Sequence, residues 1–283
     1  MFDILPLNEN IIKRDTLLYP PEYIGKYVIT NPPYLAKNKT NEFSEVFEKY
    51  SVDDLYKAAM KSIIDCSGGI LIIPSNFFFD ENSKDIRKFF LSEFIVDKVN
   101  VFTEPMFDTT TYSVCSFFFH KEKNDKQNVV FSSNEINITV PLEKEFNYSF
   151  GGDLINKINL QENYFSRIIE NRIKQGHFAT NIFLTTLDTR SSKINVKLLP
   201  DGEFFSGKIS DRIYASLTCS IELDKDLQEK IINDFNNEIN DIRKKYNNLI
   251  FSNYRDFGRK RVGFDFCYKF LSMILDRYKK GSP

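Results

Sequence analysis

The 283-residue sequence has no tryptophan and only two histidines, and it lacks the patterns of several common protein classes. Its four cysteines are widely scattered and do not have the spacing of metal ligands, which favours buried thiols in a reducing compartment. No apolar run reaches membrane-spanning length, and the first residues do not show the basic region and apolar stretch of a secretion signal. We therefore expect a metal-free, cytoplasmic protein that is not inserted in a membrane.

Glycine and net charge are also low. The 11 glycines include no Gly-x-Gly pattern, so the loop with which open α/β folds bring backbone donors to an anionic cofactor group is not visible. The formal net charge of −1 excludes a general electrostatic attraction to nucleic acid. Any contact with a phosphate backbone must then come from a local cluster of cations.

The most informative feature that is present is a turn after a short apolar strand. Residues 27–30 (Tyr-Val-Ile-Thr) lead directly into residues 31–34 (Asn-Pro-Pro-Tyr). Two consecutive prolines fix the backbone φ angle and remove two amide donors, so the strand cannot continue and its carbonyl groups are exposed. Because Asn-Pro pairs also open ordinary turns, a purely structural turn is the alternative interpretation.

This turn has a specific chemical use. The side-chain oxygen of Asn31 and the carbonyl oxygen of Pro32 are expected to point the same way, as two acceptors. Such a pair suits a planar –NH2 group whose hydrogens must be bound while its nitrogen attacks a methyl group. Tyr34 supplies a flat face on which the ring that carries this amine can stack.

At these residues the chain resembles the amino-group methyltransferases that use S-adenosylmethionine, in particular the DNA adenine-N6 enzymes of the gamma-type arrangement. The resemblance implies four catalytic residues, Asn31, Pro32, Pro33 and Tyr34. It also implies S-adenosylmethionine as the cofactor and an adenine base, rotated out of the duplex, as the acceptor of the methyl group.

The same resemblance assigns residues around the cofactor and the base. Asp3 would hold the ribose hydroxyls of the cofactor, Asp15 would accept from the amino group of its adenine, and Asn31 would lie against it. Tyr34 would form one wall of the base pocket. A second aromatic residue would close the other wall, and the candidates are Phe77, Phe150 and Phe146.

The order of elements extends the resemblance over about the first half of the chain. A helix-period stretch at residues 55–66 leads into Gly68-Gly69 and an all-apolar run at 70–73, which predicts a strand buried on both faces. Apolar runs at 95–102 and 112–119 predict an antiparallel strand pair. We therefore predict an α/β fold, with an incomplete Rossmann-like class I methyltransferase sheet in a catalytic domain at residues 1–150.

One departure from the family is large, because the glycine-rich cofactor loop should precede Asp3 by roughly twenty residues. Three explanations are open: a fragment of a longer protein, one half of a split enzyme whose first strand comes from a partner chain, and a homologue that no longer catalyses. Since Asp3, Asp15 and Asn31 are retained, we favour the fragment and expect the chain alone to be inactive.

Residues 151–283 are expected to form a DNA target-recognition region that is mixed but mainly helical. Helical spacing occurs at 160–173, 227–246 and 264–278, and short apolar runs separated by turns fill residues 178–223. A basic stretch near the end of the chain favours phosphate contacts. The candidate DNA-binding residues are Arg190, Lys193, Arg255, Arg259, Lys260 and Arg261.

The sequence thus predicts a site-specific DNA adenine-N6 methyltransferase of a restriction-modification system, with double-stranded DNA as partner. An RNA or protein-glutamine amino methyltransferase is one alternative, because the same turn occurs in such enzymes. A non-catalytic, DNA-binding fragment or subunit of a split methyltransferase is the other, because the cofactor loop is missing. The second half of the chain and its basic end favour DNA as the substrate.

Overall fold

The computed structural model describes residues 8–102, 104, 106–107, 113–133, 137–189, 192–203, 213–252 and 259–279, together with the backbone of residues 2–3. The chain divides into two compact units, Met1–Gly152 and Asp153–Pro283. The boundary predicted between residues 150 and 151 lies close to this division. The functions given to the two halves stay predictions.

The strands of the described part of the chain are numbered in chain order. They are β1 Phe2–Asp3, β2 Ile12–Lys13, β3 Tyr27–Thr30, β4 Gly68–Pro74, β5 Phe94–Ile95, β6 Lys98–Val101, β7 Val114–Lys121, β8 Lys126–Ser132, β9 Asn137–Glu143, β10 Phe165–Arg167, β11 Phe178–Thr185, β12 Asn195–Leu198 and β13 Tyr214–Cys219.

The helices are numbered in the same way. They are α1 Ser44–Tyr50, α2 Leu55–Ser62, α3 Asn76–Phe79, α4 Lys84–Leu91, α5 Gly152–Asn159, α6 Lys225–Lys245 and α7 Phe264–Lys279. Their starts follow local sequence, since Asp54 caps α2 by accepting from the amide of Tyr56 and Asp224 caps α6 by accepting from that of Leu227. None of the described helices combines the length and apolar composition needed to cross a membrane.

The first unit is built on a mixed sheet of seven strands in the order β3-β4-β7-β6-β8-β9, with β5 also paired to β7. Strands β3 and β4 are parallel, as are β6 and β8, whereas β7 runs antiparallel to β4, β5 and β6, and β9 runs antiparallel to β8. The predicted antiparallel pair is therefore confirmed as β6 with β7. Strands β1 and β2 form a separate parallel pair. The fold is α/β, as predicted.

One face of this sheet forms the core of the unit. Leu71, Ile73, Phe117 and Phe119 alternate inward along β4 and β7 and are buried. Helix α4 packs on this face, where the ring of Phe90 lies 5.1 Å from that of Phe119 between centroids. The spacing of apolar residues along α4 and their alternation along β4 and β7 account for this packing.

The opposite face is exposed at the β3 end of the sheet, which corrects the expectation that β4 is buried on both faces. Cross-strand partners Ile29, Ile70 and Phe118 lie side by side on this face. Their exposed fractions are 79%, 38% and 50%, and that of Tyr27 is 68%. Within the described residues, the helices cover one face only, so the second apolar face of β4 lacks the layer that its sequence anticipates.

The second unit contains a four-stranded antiparallel sheet in the order β10-β13-β11-β12. Helices α6 and α7, both predicted, pack together through Phe235 and Phe270, whose ring centroids are 5.3 Å apart. Asn236 of α6 anchors β12 by bonding both the amide and the carbonyl of Val196, at 3.0 and 2.8 Å.

The prediction of a helix at residues 160–173 is wrong. Helix α5 ends at Asn159, and Phe165 instead starts β10, which pairs with Cys219 of β13. The chain then turns back through Glu170 and Asn171, which both have positive φ angles of 50° and 59°. Pairing with a strand about fifty residues away in the chain overrides the local helical spacing.

Candidate active site

The candidate catalytic turn follows β3 directly, at the edge of the sheet. Since β3 and β4 are parallel, their carboxyl ends lie at the same edge, where open α/β sheets bind ligands. The two strands approach closely at Gly69, where a Cβ atom would lie 1.9 Å from the carbonyl oxygen of Val28. Glycine is therefore required here for β4 to run beside β3.

The hydroxyl group of Tyr34 connects the turn to β4 by hydrogen bonding. Its hydroxyl group lies 2.5 Å from Oδ1 of Asn31 and 2.8 Å from the carbonyl oxygen of Ile72, and it can donate its single hydrogen to either acceptor. Burial raises the pKa of Tyr34, and the nearby Cys115 thiol raises it further. The phenol consequently stays protonated at neutral pH and acts as a donor that orients the Asn31 amide, not as a base.

The turn presents polar atoms on one side only. Asn31 and Pro33 are exposed, whereas Pro32 is buried and Tyr34 is half-buried. The buried proline ring fixes the backbone, while the amide of Asn31 stands at the surface with its oxygen held by Tyr34. The arrangement is suited to binding a donor group that approaches from solvent.

A second aromatic residue does lie beside Tyr34, but it is Phe107, which the sequence interpretation missed. The two ring centroids are 6.1 Å apart at an interplanar angle of 67°, and Phe107 is only partly buried. The segment that carries Phe107 lies between β6 and β7. That loop position next to a predicted strand pair was the available signal, but loops do not reveal their partners through periodicity.

The three predicted partners of Tyr34 lie elsewhere, which corrects that expectation. Phe77 and Phe150 are 0% and 1% exposed and belong to the aromatic core, with Phe77 stacked on Phe117 and Phe150 against Phe131. Phe146 packs on Gly152, where an added Cβ would lie 2.6 Å from its own. The rings of Phe77 and Phe150 are enclosed by core contacts, so neither offers a free face to a base.

Asp15 follows β2 as predicted, and one of its two carboxylate oxygens already accepts hydrogen bonds from the main chain. Its Oδ1 atom accepts from the amides of Leu17 and Leu18, both at 2.9 Å, and so closes a tight turn. Its Oδ2 atom accepts no hydrogen bond from the described residues. Asp3 lies in β1, parallel to β2, and its side chain is outside the described residues.

A small apolar cluster joins the Asp15 turn to the catalytic turn. Leu17 and Leu18 from the first turn and Leu35 from the second pack against a buried cluster. The cluster includes Phe47 of α1 and Leu55 at the start of α2. The amide of Leu55 also donates to the carbonyl oxygen of Leu35, at 3.1 Å. The two predicted cofactor and substrate segments are thus attached to the same cluster.

The predicted DNA-binding residues belong to the second unit, and they differ in whether their side chains are exposed to solvent. Arg259 and Arg261 are exposed, whereas Lys260 between them is turned inward, and burial lowers its pKa to about 8. Its main-chain carbonyl accepts from the amide of Asp188. Lys260 is therefore removed from the set of predicted surface contacts, and Arg190 and Arg255 lie outside the described residues.

An ion pair between two largely buried side chains lies in this basic region. Arg243 of α6 binds both carboxylate oxygens of Asp188, at 2.6 and 3.0 Å, and both side chains are largely buried. Lys193 is exposed and lies 3.9 Å from Asp188. Leu187 forms a β-bridge with Arg261. The structure thus brings Lys193, Arg259 and Arg261 to neighbouring segments, while Thr185 and Thr186 are buried.

The model of the family described as N-6 DNA Methylase matches residues 2–184, which is more than half of the chain. The chain belongs to the N-6 DNA methylase family. The matched region contains the turn at residues 31–34, Asp15 and Phe107. No curated protein matches this chain.

Solved structures show a distant likeness to this chain. A type I restriction enzyme modification subunit from Vibrio vulnificus YJ016 is 16% identical, with a TM-score of 0.36, over 44% of this chain and 30% of that one. The EcoKI M protein of a type I restriction enzyme is 18% identical, with a TM-score of 0.36, over 44% and 28%. The type IIG restriction endonuclease BpuSI is 11% identical, with a TM-score of 0.37, over 58% and 27%. The chain spans less than a third of the length of each.

The described donors of this chain fit S-adenosylmethionine, the cofactor expected from the sequence, in part. The unused Oδ2 of Asp15 suits an amino group, and Asn76, just after β4, has a buried Oδ1 atom with no hydrogen-bond partner among the described residues. The described residues do not include a backbone loop suited to the charged methionine end. Nor do they bring together three His, Cys, Asp or Glu side chains able to hold a metal ion.

Proposed function

We propose that this chain is the target-binding part of a DNA adenine-N6 methyltransferase that uses S-adenosylmethionine, in a restriction-modification system. The observation that carries this proposal is the exposed Asn31 amide at the carboxyl edge of the sheet, within hydrogen-bond distance of the Tyr34 hydroxyl, with the ring of Phe107 beside that of Tyr34. Membership of the N-6 DNA methylase family supports it.

The target adenine must leave the duplex to reach this site, because its amino group is stacked and paired inside DNA. Rotating it out costs a few kcal/mol. Stacking on an aromatic side chain returns about 1–3 kcal/mol per base. Tyr34 and Phe107 lie at an angle to each other, so one ring stacks on the base face while the other closes its edge.

Asn31 and the Pro32 carbonyl then bind the amino group. Both are acceptors, and binding both hydrogens favours a geometry in which the nitrogen lone pair is available. The cofactor would supply a sulfonium methyl group as the electrophile. Its C–S bond would break as the N–C bond forms, and the amine would lose one proton to solvent. The reaction needs alignment of nitrogen and methyl group more than a strong base, so the contribution of this chain is positioning and dipole stabilisation. In the free chain the Tyr34 hydroxyl occupies Oδ1 of Asn31, and it can turn to the Ile72 carbonyl when the amine arrives.

Replacing either aromatic wall should weaken capture of the base. Tyr34→Ala and Phe107→Ala are each expected to lower kcat/KM roughly 5- to 150-fold, because a stacking or edge contact is lost. This factor corresponds to about 1–3 kcal/mol of lost transition-state stabilisation. Tyr34→Phe should lose less activity than Tyr34→Ala, since the ring remains and only the hydroxyl that orients Asn31 is lost. Rates are measured as tritiated methyl groups transferred from S-adenosylmethionine to duplex DNA.

The core residue Phe150 provides the matched control for these variants. Phe150→Leu should lower the melting temperature and leave kcat/KM of the folded protein nearly unchanged, because its ring is buried away from the turn. Equal rates for the wild type, Tyr34→Ala and Tyr34→Phe would contradict stacking on Tyr34.

The exposed arginines of the second unit are proposed to contact DNA phosphates. Arg259→Gln and Arg261→Gln should each reduce the slope of log K against log [NaCl] by about 1, because one fewer counterion is released. Lys260→Gln is the matched control and should change the slope least, since that side chain is turned inward. Fluorescence anisotropy of labelled duplex DNA over a salt series measures these slopes, and equal slopes for all four proteins would refute the contacts.

The proposed activity itself is tested by the appearance of N6-methyladenine. The chain is produced in bacterial cells that lack their own adenine methyltransferases, and the host DNA is digested and examined by mass spectrometry. Methylated adenine at a defined sequence supports the proposal. The absence of methylated adenine overturns it.

A non-catalytic, DNA-binding subunit of a split methyltransferase is the second candidate function. The exposed apolar face beside β3 favours it, because this face lacks a covering layer in the described residues. Binding of S-adenosylmethionine to the chain alone separates the two candidates. Micromolar binding indicates a self-sufficient cofactor site, and no binding indicates a subunit or fragment.

A further inference from the structure

A surface cleft of about 670 Å³ lies in the second unit, where the turn that follows β10 meets the start of α7. Its lining includes three cationic side chains, Arg167, Arg172 and Lys174, and two aromatic ones, Phe264 and Tyr268. The volume is within the range of small-molecule sites and is much larger than a bound ion requires. Apolar and cationic walls in one cleft suit a ligand that combines an anionic group with an apolar or flat part.

Tyr268 provides the most specific observation in this cleft. The residue is 8% exposed, and its buried hydroxyl group makes no hydrogen bond with any described residue. Because a buried hydroxyl group without a partner costs free energy, its presence on the wall of a cleft indicates a ligand that accepts from it. Burial raises the pKa of Tyr268, and the nearby Arg167 guanidinium opposes this rise. The phenol is therefore protonated at neutral pH and can act as a donor.

Positive charge exceeds negative charge around the cleft. The lining contains two acidic residues, and one of them, Asp265, is neutralised by Lys269, whose Nζ atom lies 3.3 Å from its carboxylate. The other, Glu170, is exposed. Arg172 and Lys174 are also exposed, and neither forms an ion pair with a described residue. The cations of the cleft are thus opposed by the carboxylate of Glu170 alone, which favours an anionic ligand.

The start of α7 adds to this positive field. Phe264 and Asp265 are its first two residues, and the first amide groups of a helix favour an anion through their free hydrogens and the helix dipole. The guanidinium of Arg167 lies 5.4 Å from the centre of the Phe264 ring. That ring is in turn stacked on Tyr268, at 5.9 Å between centroids. Arg167, the helix start and the Tyr268 phenol therefore lie at the same part of the cleft.

A tight turn forms another wall. Ile169 and Arg172 form a β-bridge, in which the amide of Arg172 donates to the carbonyl oxygen of Ile169 at 2.8 Å. Glu170 and Asn171 between them both have positive φ angles, a conformation that is common for asparagine and rare for glutamate. Backbone strain of this kind is concentrated at functional sites. The turn holds Arg172 beside Ile169, so this wall presents a cation next to an apolar side chain.

We infer that this cleft binds a free mononucleotide through its terminal phosphate group. The phosphate accepts from the hydroxyl group of Tyr268 and from the guanidinium groups of Arg167 and Arg172. The base covers the side chain of Ile173, which is 45% exposed and lines the same cleft. A terminal phosphate group presents three free oxygens, whereas a phosphate group inside a strand is flanked by sugars on both sides. A donor as deeply buried as Tyr268 therefore favours the terminal group.

Isothermal titration calorimetry of the intact chain with thymidine 5′-monophosphate tests this inference. A pyrimidine compound is used because an adenine compound can also enter the cofactor site proposed in the first unit. Thymidine 5′-monophosphate should bind at one site, and inorganic phosphate should compete with it. Thymidine without the phosphate group should bind more weakly by roughly tenfold or more, because the hydrogen bonds between the phosphate and the charged side chains are lost.

Tyr268→Phe removes only the buried hydroxyl group. It should weaken binding of thymidine 5′-monophosphate by roughly tenfold or more, because a hydrogen bond to a charged group is lost. Without ligand, this variant should keep or raise the melting temperature, because it removes a buried polar group that has no partner among the described residues. Tyr278→Phe is the matched control on the same helix. Its hydroxyl group lies 2.6 Å from Oδ2 of Asp234, outside the cleft, so the affinity should be unchanged.

A second pair of variants tests the charges. Arg172→Gln combined with Lys174→Gln should also weaken binding by roughly tenfold or more, because two cations are removed from the cleft. Lys230→Gln combined with Lys244→Gln makes the same change of net charge at exposed positions of α6 and should leave the affinity unchanged. All four positions are exposed, so both double variants should keep the wild-type melting temperature.

Three outcomes overturn the inference. One is a wild-type chain that does not bind thymidine 5′-monophosphate. Another is equal affinity of the wild type, Tyr268→Phe and the Arg172–Lys174 double variant, which would place the nucleotide elsewhere. The third is a chain that binds a short DNA duplex, but not the mononucleotide, through Arg172 and Lys174, which would assign the cleft to the DNA backbone. The titration contains neither DNA nor S-adenosylmethionine. A chain that binds the nucleotide but never methylates DNA would therefore overturn the proposed function alone.

Discussion

Asn31→Ala is expected to lower the rate of methyl transfer to adenine by on the order of 10²–10³-fold, the usual cost of removing one preorganised polar group from a reaction site. The amide oxygen of Asn31 is exposed and held by Tyr34, so its loss removes an acceptor for the target amine without disturbing the core. Rates are compared by tritiated methyl transfer to duplex DNA.

An exposed asparagine close by in the chain gives the matched control. Asn38 lies in the short 3-10 helix Lys37–Lys39, and Asn38→Ala should retain the wild-type rate. Both variants should melt at the wild-type temperature, which separates a chemical effect from unfolding. Activity of Asn31→Ala within about tenfold of the wild type would show that Asn31 is not the acceptor.

Arg87→Met is expected to lower the free energy of unfolding by about 3–5 kcal/mol, a large share of the stability of a typical domain. Arg87 is 1% exposed, and its guanidinium donates to the carbonyls of Phe77, Asp80 and Asn147 and to the hydroxyl of Ser149, at 2.6–3.1 Å. Burial lowers its pKa to about 10, so it remains charged at neutral pH. Methionine fills the space but leaves buried acceptors unpaired, which costs about 1–3 kcal/mol each.

Urea denaturation followed by circular dichroism measures this effect. Lys88→Met changes the next residue of α4, which is exposed, and should alter the free energy of unfolding by no more than about 0.5 kcal/mol. The Arg87 network joins α3 and α4 to residues 147–149, at the end of the first unit. A loss below about 1 kcal/mol for Arg87→Met would mean that solvent or neighbouring groups replace its hydrogen bonds.

Several elements follow from local sequence because their causes are local. The apolar run and paired prolines place β3 and the turn at residues 31–34. The 3.6-residue period and the caps Asp54 and Asp224 mark α2 and α6. The antiparallel pair β6–β7 follows from two apolar runs joined by a loop. In these cases neighbouring residues carry the information, so no long-range contact is needed.

Other features depend on contacts between distant parts of the chain. The spacing at 160–173 is helical, yet the pairing of β10 with β13 decides its conformation. An aromatic-rich sequence offers many partners for Tyr34, and only packing shows that Phe77 and Phe150 are in the core while Phe107 lies beside the turn. Likewise, the alternation of side chains along a bridge turns Lys260 inward between Arg259 and Arg261.

By itself, the sequence determined the α/β class, the strand–turn that carries Asn31 and the apolar character of β4 on both sides, because backbone restriction and periodicity act over a few residues. The tertiary structure alone decided which ring accompanies Tyr34, which cations reach the surface, and that the strip of Tyr27, Ile29, Ile70 and Phe118 is uncovered. These outcomes depend on which surfaces meet, and burial is a property of the assembled layers, not of any one segment.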